Sequence, residues 1–361
     1  MTHSTTPASP SIAAARPWRR RALQAALALT IGASGLLGAG AAIAQDGSGG
    51  ATPIPTPSTT CTLPNLAVIS KPATPATPAT KTVTIPVTAV ASPAGGTPEA
   101  SPAASPSVAA TTPAASPAAG PDATLTAELT ASANAVADCL TKGDFTTLAS
   151  ITGDAYRGQL VGADGPISAE DFADVAPSLA VVPYTIAQVD GASASGSTAT
   201  ATVVYLIGNQ VRVGEWTFTK ETVDGEAVWA LDKETPQEVT KPGSAASATV
   251  TIQQNAYTFD PATIEGNEVF FTITNKDKVD HELFVVKLDK GIETDVLLTT
   301  PGPALPDGVT FVGQVTVPAG GSGELLLTDL APGTYQVVDL LPNDQGLPHL
   351  SDGMEGSFTI K

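Results

Sequence analysis

The sequence predicts a multi-domain protein in which an α+β unit is followed by an all-β sandwich, with a disordered stalk at the N-terminus. Aromatic residues are missing between Trp18 and Phe145, which separates a non-globular region from the rest of the chain. Residues 122–238 pass from helical to strand-like periodicity, and residues 247–361 show β-branched alternation throughout. These three observations define the two folded units.

The charge balance excludes several classes of partner. The chain has 361 residues, with 35 acidic and 17 basic side chains and a net charge of −18. Four arginines are the only charged residues of positions 1–44, so a chain that begins at Gln45 carries −22. Nucleic acids and anionic membranes recruit Lys and Arg, so neither is expected as a partner. Two cysteines and three histidines are too few for zinc fingers, iron–sulfur clusters or a disulfide framework.

Residues 1–44 have the pattern of an export signal peptide. A polar stretch ends in adjacent arginines at Arg21, an apolar stretch follows from Ala22, and Ala42-Ile43-Ala44 fits a small-residue cleavage site. A retained membrane anchor is the alternative, but four glycines between residues 32 and 40 make the stretch weakly hydrophobic. We expect cleavage, no integral membrane span afterwards, and an extracytoplasmic location, either secreted or attached to the cell envelope. The arginines resemble a twin-arginine signal.

Residues 45–121 are predicted to form a semi-rigid, disordered stalk. The segment from 51 to 121 holds 15 of the 31 prolines, and such a composition cannot bury enough apolar surface to fold. The stalk contains Cys61, and Cys139 is the second cysteine. The two could form a disulfide in an oxidising compartment. Alternatively, Cys139 is a plain core thiol beside the apolar face of a helix.

Helices precede strands in the first folded unit, residues 122–238. Apolar residues recur every three or four positions from Leu125 to Leu140, which predicts a helix that ends at Gly143. Asp144 is placed to cap a second helix, and Ser168 with Asp171 forms a capping box for a third. Turns are expected at Asn209-Gln210 and Asp224-Gly225. The predicted strands are 184–189, 198–206, 211–222 and 227–231.

This order, with the phrase Leu-Thr-Lys-Gly-Asp-Phe-Thr-Thr-Leu at 140–148 and a last strand through Trp229, resembles the nuclear transport factor 2-like (cystatin-like) superfamily. The resemblance implies an α+β cone. Enzymes of that superfamily place carboxylate, His or Tyr groups inside the cone, and this segment has no histidine. We expect no enzymatic activity and no catalytic residues. The candidates for such an internal site are Asp138, Tyr156, Tyr184 and Tyr205.

The second unit, residues 247–361, follows a linker around Lys241 to Ala246 and contains most of the candidate metal-binding side chains. About seven short strands separated by Gly, Pro and Asn-Asp turns predict a β-sandwich. His281 and His349 are the only histidines after residue 44, and Met354 is the only methionine there. His281 precedes the predicted strand 283–288, and His349 and Met354 precede the last strand.

Several motifs of this unit stand in the order found in cupredoxins of the plastocyanin and azurin type. They are Phe259-Asp260-Pro261, Gly266, Gly333-Thr334-Tyr335 and His-x-x-x-Gly-Met-x-Gly at 349–356. The resemblance covers about 115 residues and implies a Greek-key sandwich. It also implies copper as cofactor, with His281, His349 and Met354 as ligands. The copper-binding cysteine of the family is replaced here by Asp339, so a blue-copper centre cannot be built from this unit.

Two imidazoles, the Asp339 carboxylate and the Met354 thioether remain, a set that suits Cu(II). We expect a thiolate-free copper site with a role in copper handling or as an electron-transfer accessory. The alternative is a non-catalytic envelope recognition module with a vestigial metal site, in which both histidines are partly exposed. A third hypothesis is small-molecule binding, or isomerase or dehydratase chemistry, in the α+β unit. A redox or envelope partner stays unidentified. The acidic residues expected to form a solvated rim are Glu265, Asp277, Asp280, Glu282 and Asp289.

Overall fold

A computed structural model describes residues 60–61, 123–223, 225–300 and 304–361. The predicted signal peptide and nearly all of the predicted stalk lie outside these residues. Among the helices that are described, none combines the length and hydropathy needed to cross a bilayer.

Four helices open the α+β unit, and their ends follow the sequence signals. The first ends where Gly143 adopts a left-handed φ of +68°. Asp144 accepts a hydrogen bond from the Thr147 backbone N–H, and Ser168 accepts one from that of Asp171. Both predicted caps are therefore confirmed. The helices are α1 (Ala123–Lys142), α2 (Phe145–Ser150), α3 (Asp154–Leu160) and α4 (Ala169–Val175), and α3 was not predicted.

A disulfide joins Cys61 to Cys139 across 78 positions of sequence. Cys139 lies on the buried face of α1, and the backbone N–H of Cys61 donates to Asp144 Oδ2 over 3.0 Å. The core-thiol interpretation of Cys139 is wrong. Cys61 is only 4 % exposed, so the predicted stalk is docked on α1 at this point.

An antiparallel meander of four strands completes the unit. Its strands are β1 (Tyr184–Ser195), β2 (Thr198–Ile207), β3 (Gln210–Val223) and β4 (Glu226–Gln237). The turn between β2 and β3 lies at residues 208–209, one position before the predicted one. Gly208 adopts a φ of +62°, which glycine tolerates better than Asn or Gln.

Two sheets packed face to face form the second unit, as predicted for a β-sandwich. The strands are β5 (Ala246–Ile252), β6 (Tyr257–Asp260), β7 (Thr263–Ile264), β8 (Val269–Asn275), β9 (His281–Leu288), β10 (Val309–Val317), β11 (Ser322–Leu327), β12 (Gly333–Val338) and β13 (Glu355–Ile360), with a short helix α5 (Val296–Thr299) before β10. One sheet has the order β11-β8-β5-β6 and continues through β11 into β3 of the meander, and the other has the order β10-β9-β12-β13-β7. Most pairs are antiparallel, but β5 pairs with β8 and β7 with β13 in parallel.

The sheet that contains β9 is buried on both faces. Leu283 and Val285 pack in the sandwich core, whereas Phe284 and Val286 pack in a cluster shared with Trp216 of the α+β unit. A strand covered on both sides reads as a continuous apolar run, which explains the sequence of β9 from 283 to 286. The two units therefore share buried surface along β9.

Candidate metal centre

Three side chains of metal-binding type converge at one end of the sandwich. Ligand atoms of His281, Asp339 and His349 all lie within 4.8 Å of one another. His281 and Asp339 are 0 % exposed and His349 is 7 % exposed. The partial exposure of both histidines, expected under the vestigial-site alternative, is wrong. His281 lies on the same face of β9 as Leu283 and Val285, which pack in the sandwich core, so the centre is withdrawn from solvent.

Strand ends and one compact loop bring the three residues together. His281 is the first residue of β9, and Asp339 directly follows β12. His349 opens a 3-10 turn whose end is marked by Gly353, with a φ of +84°. Backbone hydrogen bonds then close the loop between β12 and β13, because Leu350 N donates to Asp339 O over 2.8 Å and Met354 N donates to His349 O over 3.1 Å.

Asp339 holds the ring of His281 in place. One carboxylate oxygen, Oδ2, lies 2.7 Å from His281 Nδ1 and 3.3 Å from the backbone nitrogen of Glu282. The other, Oδ1, accepts a hydrogen bond of 2.8 Å from Leu341 N. Asp339 thus occupies the position where the sequence resemblance placed a ligand, and it contacts His281, one of the two histidines for which the resemblance implies that role, directly.

His349 Nδ1 is buried and has no hydrogen-bond partner among the described residues. The His281 and His349 rings lie 4.9 Å apart between centroids. A buried polar atom without a partner costs free energy unless something satisfies it. A cation coordinated by this nitrogen would do so, and the donor set of two imidazoles and a carboxylate fits Cu(II).

The second nitrogen of His281, Nε2, faces Asp277. It lies 3.3 Å from Asp277 Oδ2 without forming an aligned hydrogen bond. Burial acts to raise the pKa of Asp277, but the backbone N–H groups of Asn255 and Gln254 and the nearby His281 lower it overall. Asp277 is therefore held as a carboxylate beside His281.

Met354 is fully buried among the residues of the sandwich core. Its backbone nitrogen binds His349 O, and its carbonyl oxygen accepts from Asp339 N over 3.3 Å. The backbone of Met354 thus connects the segments that carry His349 and Asp339 by hydrogen bonds.

Glu282 was expected on a solvated rim, and this expectation is wrong because its residue is completely buried. Gln314 Nε2 donates to its Oε1, and Tyr257 donates to its backbone carbonyl. Burial raises the pKa of Glu282 to about 8, and the charge of Asp339 adds to the shift. Within the described part of the chain, Oε2 of Glu282 and Oε1 of Gln314 are buried without a hydrogen-bond partner.

Three of the four residues considered for an internal site in the α+β unit gather around Glu234, which the sequence did not single out. Tyr205 donates to Glu234 Oε1 over 2.6 Å, and the Glu234 charge raises the pKa values of Tyr156 and Tyr184, after the larger effect of burial. Burial also raises the pKa of Glu234. The fourth candidate, Asp138, lies on α1 in an ion pair with Lys142. Burial is what distinguishes Glu234 from the other acidic residues of this unit, and the sequence does not show it.

Comparisons with known proteins found no matching family model and no matching curated protein. Solved structures gave matches to auracyanins. Auracyanin B is 21 % identical, with a TM-score of 0.26, over 34 % of this chain and 93 % of that one. Auracyanin from Roseiflexus castenholzii is 21 % identical, with a TM-score of 0.24, over 33 % of this chain and 99 % of that one.

Auracyanin A, described as a blue copper protein from Chloroflexus aurantiacus, is 19 % identical, with a TM-score of 0.24, over 33 % of this chain and 100 % of that one. TM-scores this low do not assign the chain to a family.

Proposed function

We propose that this is an exported protein of cupredoxin-like fold that binds one copper ion through His281, His349 and Asp339, with Met354 as a further donor. The observation that carries the proposal is the buried Nδ1 of His349, which has no partner in the part of the chain that the structure describes, beside the His281–Asp339 pair. The predicted signal peptide and the disulfide support export, because disulfides persist in oxidising compartments.

Copper is favoured over other divalent ions by the donor set. Cu(II) binds sites built from nitrogen and oxygen more tightly than the other first-row divalent metals do. Both cysteines of the sequence are used in the disulfide, so no thiolate is available. Bound copper would supply a one-electron redox couple, which fits a role in copper handling or as an accessory to electron transfer.

The chain's own residues prepare this site. Asp339 orients the His281 ring. The backbone hydrogen bonds of the loop between β12 and β13 hold His349 next to this pair. Because imidazole ligands must be deprotonated to bind, we expect copper affinity to fall at acidic pH.

The test is copper stoichiometry with an absorption spectrum of the purified protein. We expect one Cu(II) per chain and no intense band near ~600 nm, because such a band needs a thiolate. Asp339→Cys restores the thiolate position and should turn the copper-loaded protein blue. His281→Ala with His349→Ala should abolish binding, whereas Asp352→Ala, in the same 3-10 turn but exposed, should keep it.

Wild-type protein that takes up no copper would make the site vestigial and the unit a recognition module. Binding that survives in the double histidine variant would place the metal elsewhere. Both results contradict the proposal.

A second function is favoured by a cavity of about 150 Å³ between the two units, lined by Tyr205, Arg212 and Glu234 of the α+β unit and by Phe270 and Leu326 of the sandwich, among others. We propose that a small polar molecule binds there, with Glu234 of the α+β unit as its main polar contact. Chemical shift changes of Tyr205 neighbours on titration with a library of small polar compounds would test it, and Glu234→Gln should abolish them.

A further inference from the structure

The hairpin that joins β2 to β3 ends in a tip, residues 207–210, which docks on the sandwich. Gly208 approaches β10 so closely that a Cβ atom there would lie 3.0 Å from the carbonyl oxygens of Phe311 and Val312. Asn209 N donates to Val312 O over 2.8 Å, and Thr328 N donates to Asn209 O over 2.9 Å. The tip is therefore held by backbone hydrogen bonds to two different segments of the sandwich.

Strand β10 is irregular at the point where the tip docks. Its register against β9 shifts between Phe311 and Gly313, which takes Val312 out of the ladder and leaves its carbonyl for Asn209. The backbone N–H of Gln314 donates to the side chain of Gln210, at Oε1, over 3.0 Å. The α+β unit thus supplies the acceptor that fixes Gln314.

A chain of buried polar contacts runs from Gln314 to the metal centre. Gln314 Nε2 donates to Glu282, and Glu282 N lies 3.3 Å from Asp339 Oδ2, which in turn contacts His281. Exposures along Gln210, Gln314, Glu282 and Asp339 are 4 %, 3 %, 0 % and 0 %. With water excluded, each hydrogen bond is costly to leave unmade and holds its neighbour in place.

We propose that Gln210, which belongs to the α+β unit, is a positioning residue for the metal centre. Its side-chain oxygen fixes Gln314, and Gln314 acts through Glu282 and Asp339 on the orientation of the His281 ring. One role of the α+β unit is then to complete the surroundings of a site that lies in the other unit. The inference rests on the proposed copper site, and losing such an outer partner typically lowers metal affinity by about 10- to 100-fold.

The test compares three variants of the full chain. Gln210→Met keeps the volume but removes the acceptor, and Gln210→Glu keeps an acceptor for the Gln314 N–H. Asn209→Ala is the matched control, because it removes the tip's other polar side chain, whose amide donates to Thr328 O over 2.9 Å, without touching Gln314. Gln210→Ala replaces Gln210→Met if the latter does not fold.

Calorimetric titration with Cu(II) gives the first measurement. We expect about a 10-fold loss of affinity in Gln210→Met, most of it recovered in Gln210→Glu. Asn209→Ala should keep the wild-type affinity. Equal losses in Gln210→Met and Asn209→Ala would overturn the inference, because the tip would then only stabilise the fold.

The metal-free protein gives the second measurement and separates this inference from the proposed function. His281 and His349 are the only histidines after residue 44. Their ring nitrogens can therefore be assigned by NMR with single histidine variants. Gln210→Met should shift the His281 Nδ1 signal, and Asn209→Ala should not. If the wild-type protein binds no copper, the proposed function is wrong. The shift of the His281 Nδ1 signal then still tests whether Gln210 positions His281. An unchanged His281 signal in folded Gln210→Met overturns it.

Discussion

Glu282 shows how one residue's surroundings change its chemistry. It follows His281 in β9, and the α+β unit covers the face of the sheet on which it lies, so its carboxyl is fully buried with Gln314 as its hydrogen-bond donor. Burial and the charge of Asp339 raise its pKa to about 8. At neutral pH the folded chain therefore keeps a proton that an exposed glutamate would release.

Metal-free protein should lose stability as the pH rises from about 4.5 to about 8. In that window the unfolded chain has released the Glu282 proton at the ordinary value of 4.5, while the folded chain still holds it. The folded state binds more protons, so the free energy of unfolding falls by up to about 1.4 kcal/mol per pH unit. Glu282→Gln should remove this slope in urea unfolding measured across the window.

The matched control for this pH dependence is Glu265→Gln, at an exposed position of the same unit, which should keep the wild-type slope. A wild-type slope in Glu282→Gln would mean that Glu282 is ionised in the folded protein.

At the scale of elements, the β2–β3 hairpin of the α+β unit packs against the sandwich. Its tip contacts β10 and β11, and β3 itself pairs with β4 as far as Val213 and with β11 at Gln210. The conformation of Gly208 suits a tight turn, but the close approach of β10 is what excludes a side chain there. The docking contact and the turn can be separated by substitution.

Gly208→Ala should destabilise the protein more than Gly196→Ala does. Both glycines end hairpins with nearly equal φ values, +62° and +64°, so both substitutions carry a left-handed strain of about 1–2 kcal/mol. A Cβ at Gly196 meets nothing within 4 Å, whereas one at Gly208 meets Phe311 and Val312. Overpacking should add about 1–3 kcal/mol at Gly208. Denaturant unfolding measures both losses, and equal losses would mean that the tip is not docked in solution.

At the scale of the whole molecule, two long-range features hold the units and the N-terminal segment together. The cluster that contains Trp216 continues into Phe284 and Phe311 of the sandwich, and the disulfide fixes Cys61 to α1. The disulfide thus holds the described residues 60–61 against α1.

Cys61→Ala and Cys139→Ala should each lower the free energy of unfolding by about 2–4 kcal/mol, because each opens the bridge that closes the 78-residue separation. Urea unfolding of both variants measures this. Protease cuts between residues 62 and 122 should leave fragments that separate on a gel only after reduction. Destabilisation by Cys139→Ala alone would mean that no bridge forms and that Cys139 is a core thiol.

Local patterns by themselves determined α1, the caps of α2 and α4, the meander and the β-sandwich. The three residues that meet at the candidate metal centre came from an order of motifs that resembles the cupredoxins. Each of these depends on periodicity or on motif order within a short segment, which a sequence records directly. Metal binding itself stays a prediction from that motif order.

Only the tertiary structure decided that Cys61 pairs with Cys139, that Glu282 is buried, and that Gln210 reaches Gln314. The physical reason is that each of these contacts depends on which part of the chain packs against a given strand or helix face. Periodicity shows which face of a strand a residue occupies, but not that the outer face of β9 meets the α+β unit. Contacts such as that between Gln210 and Gln314, 104 positions apart, arise only when the two units pack together.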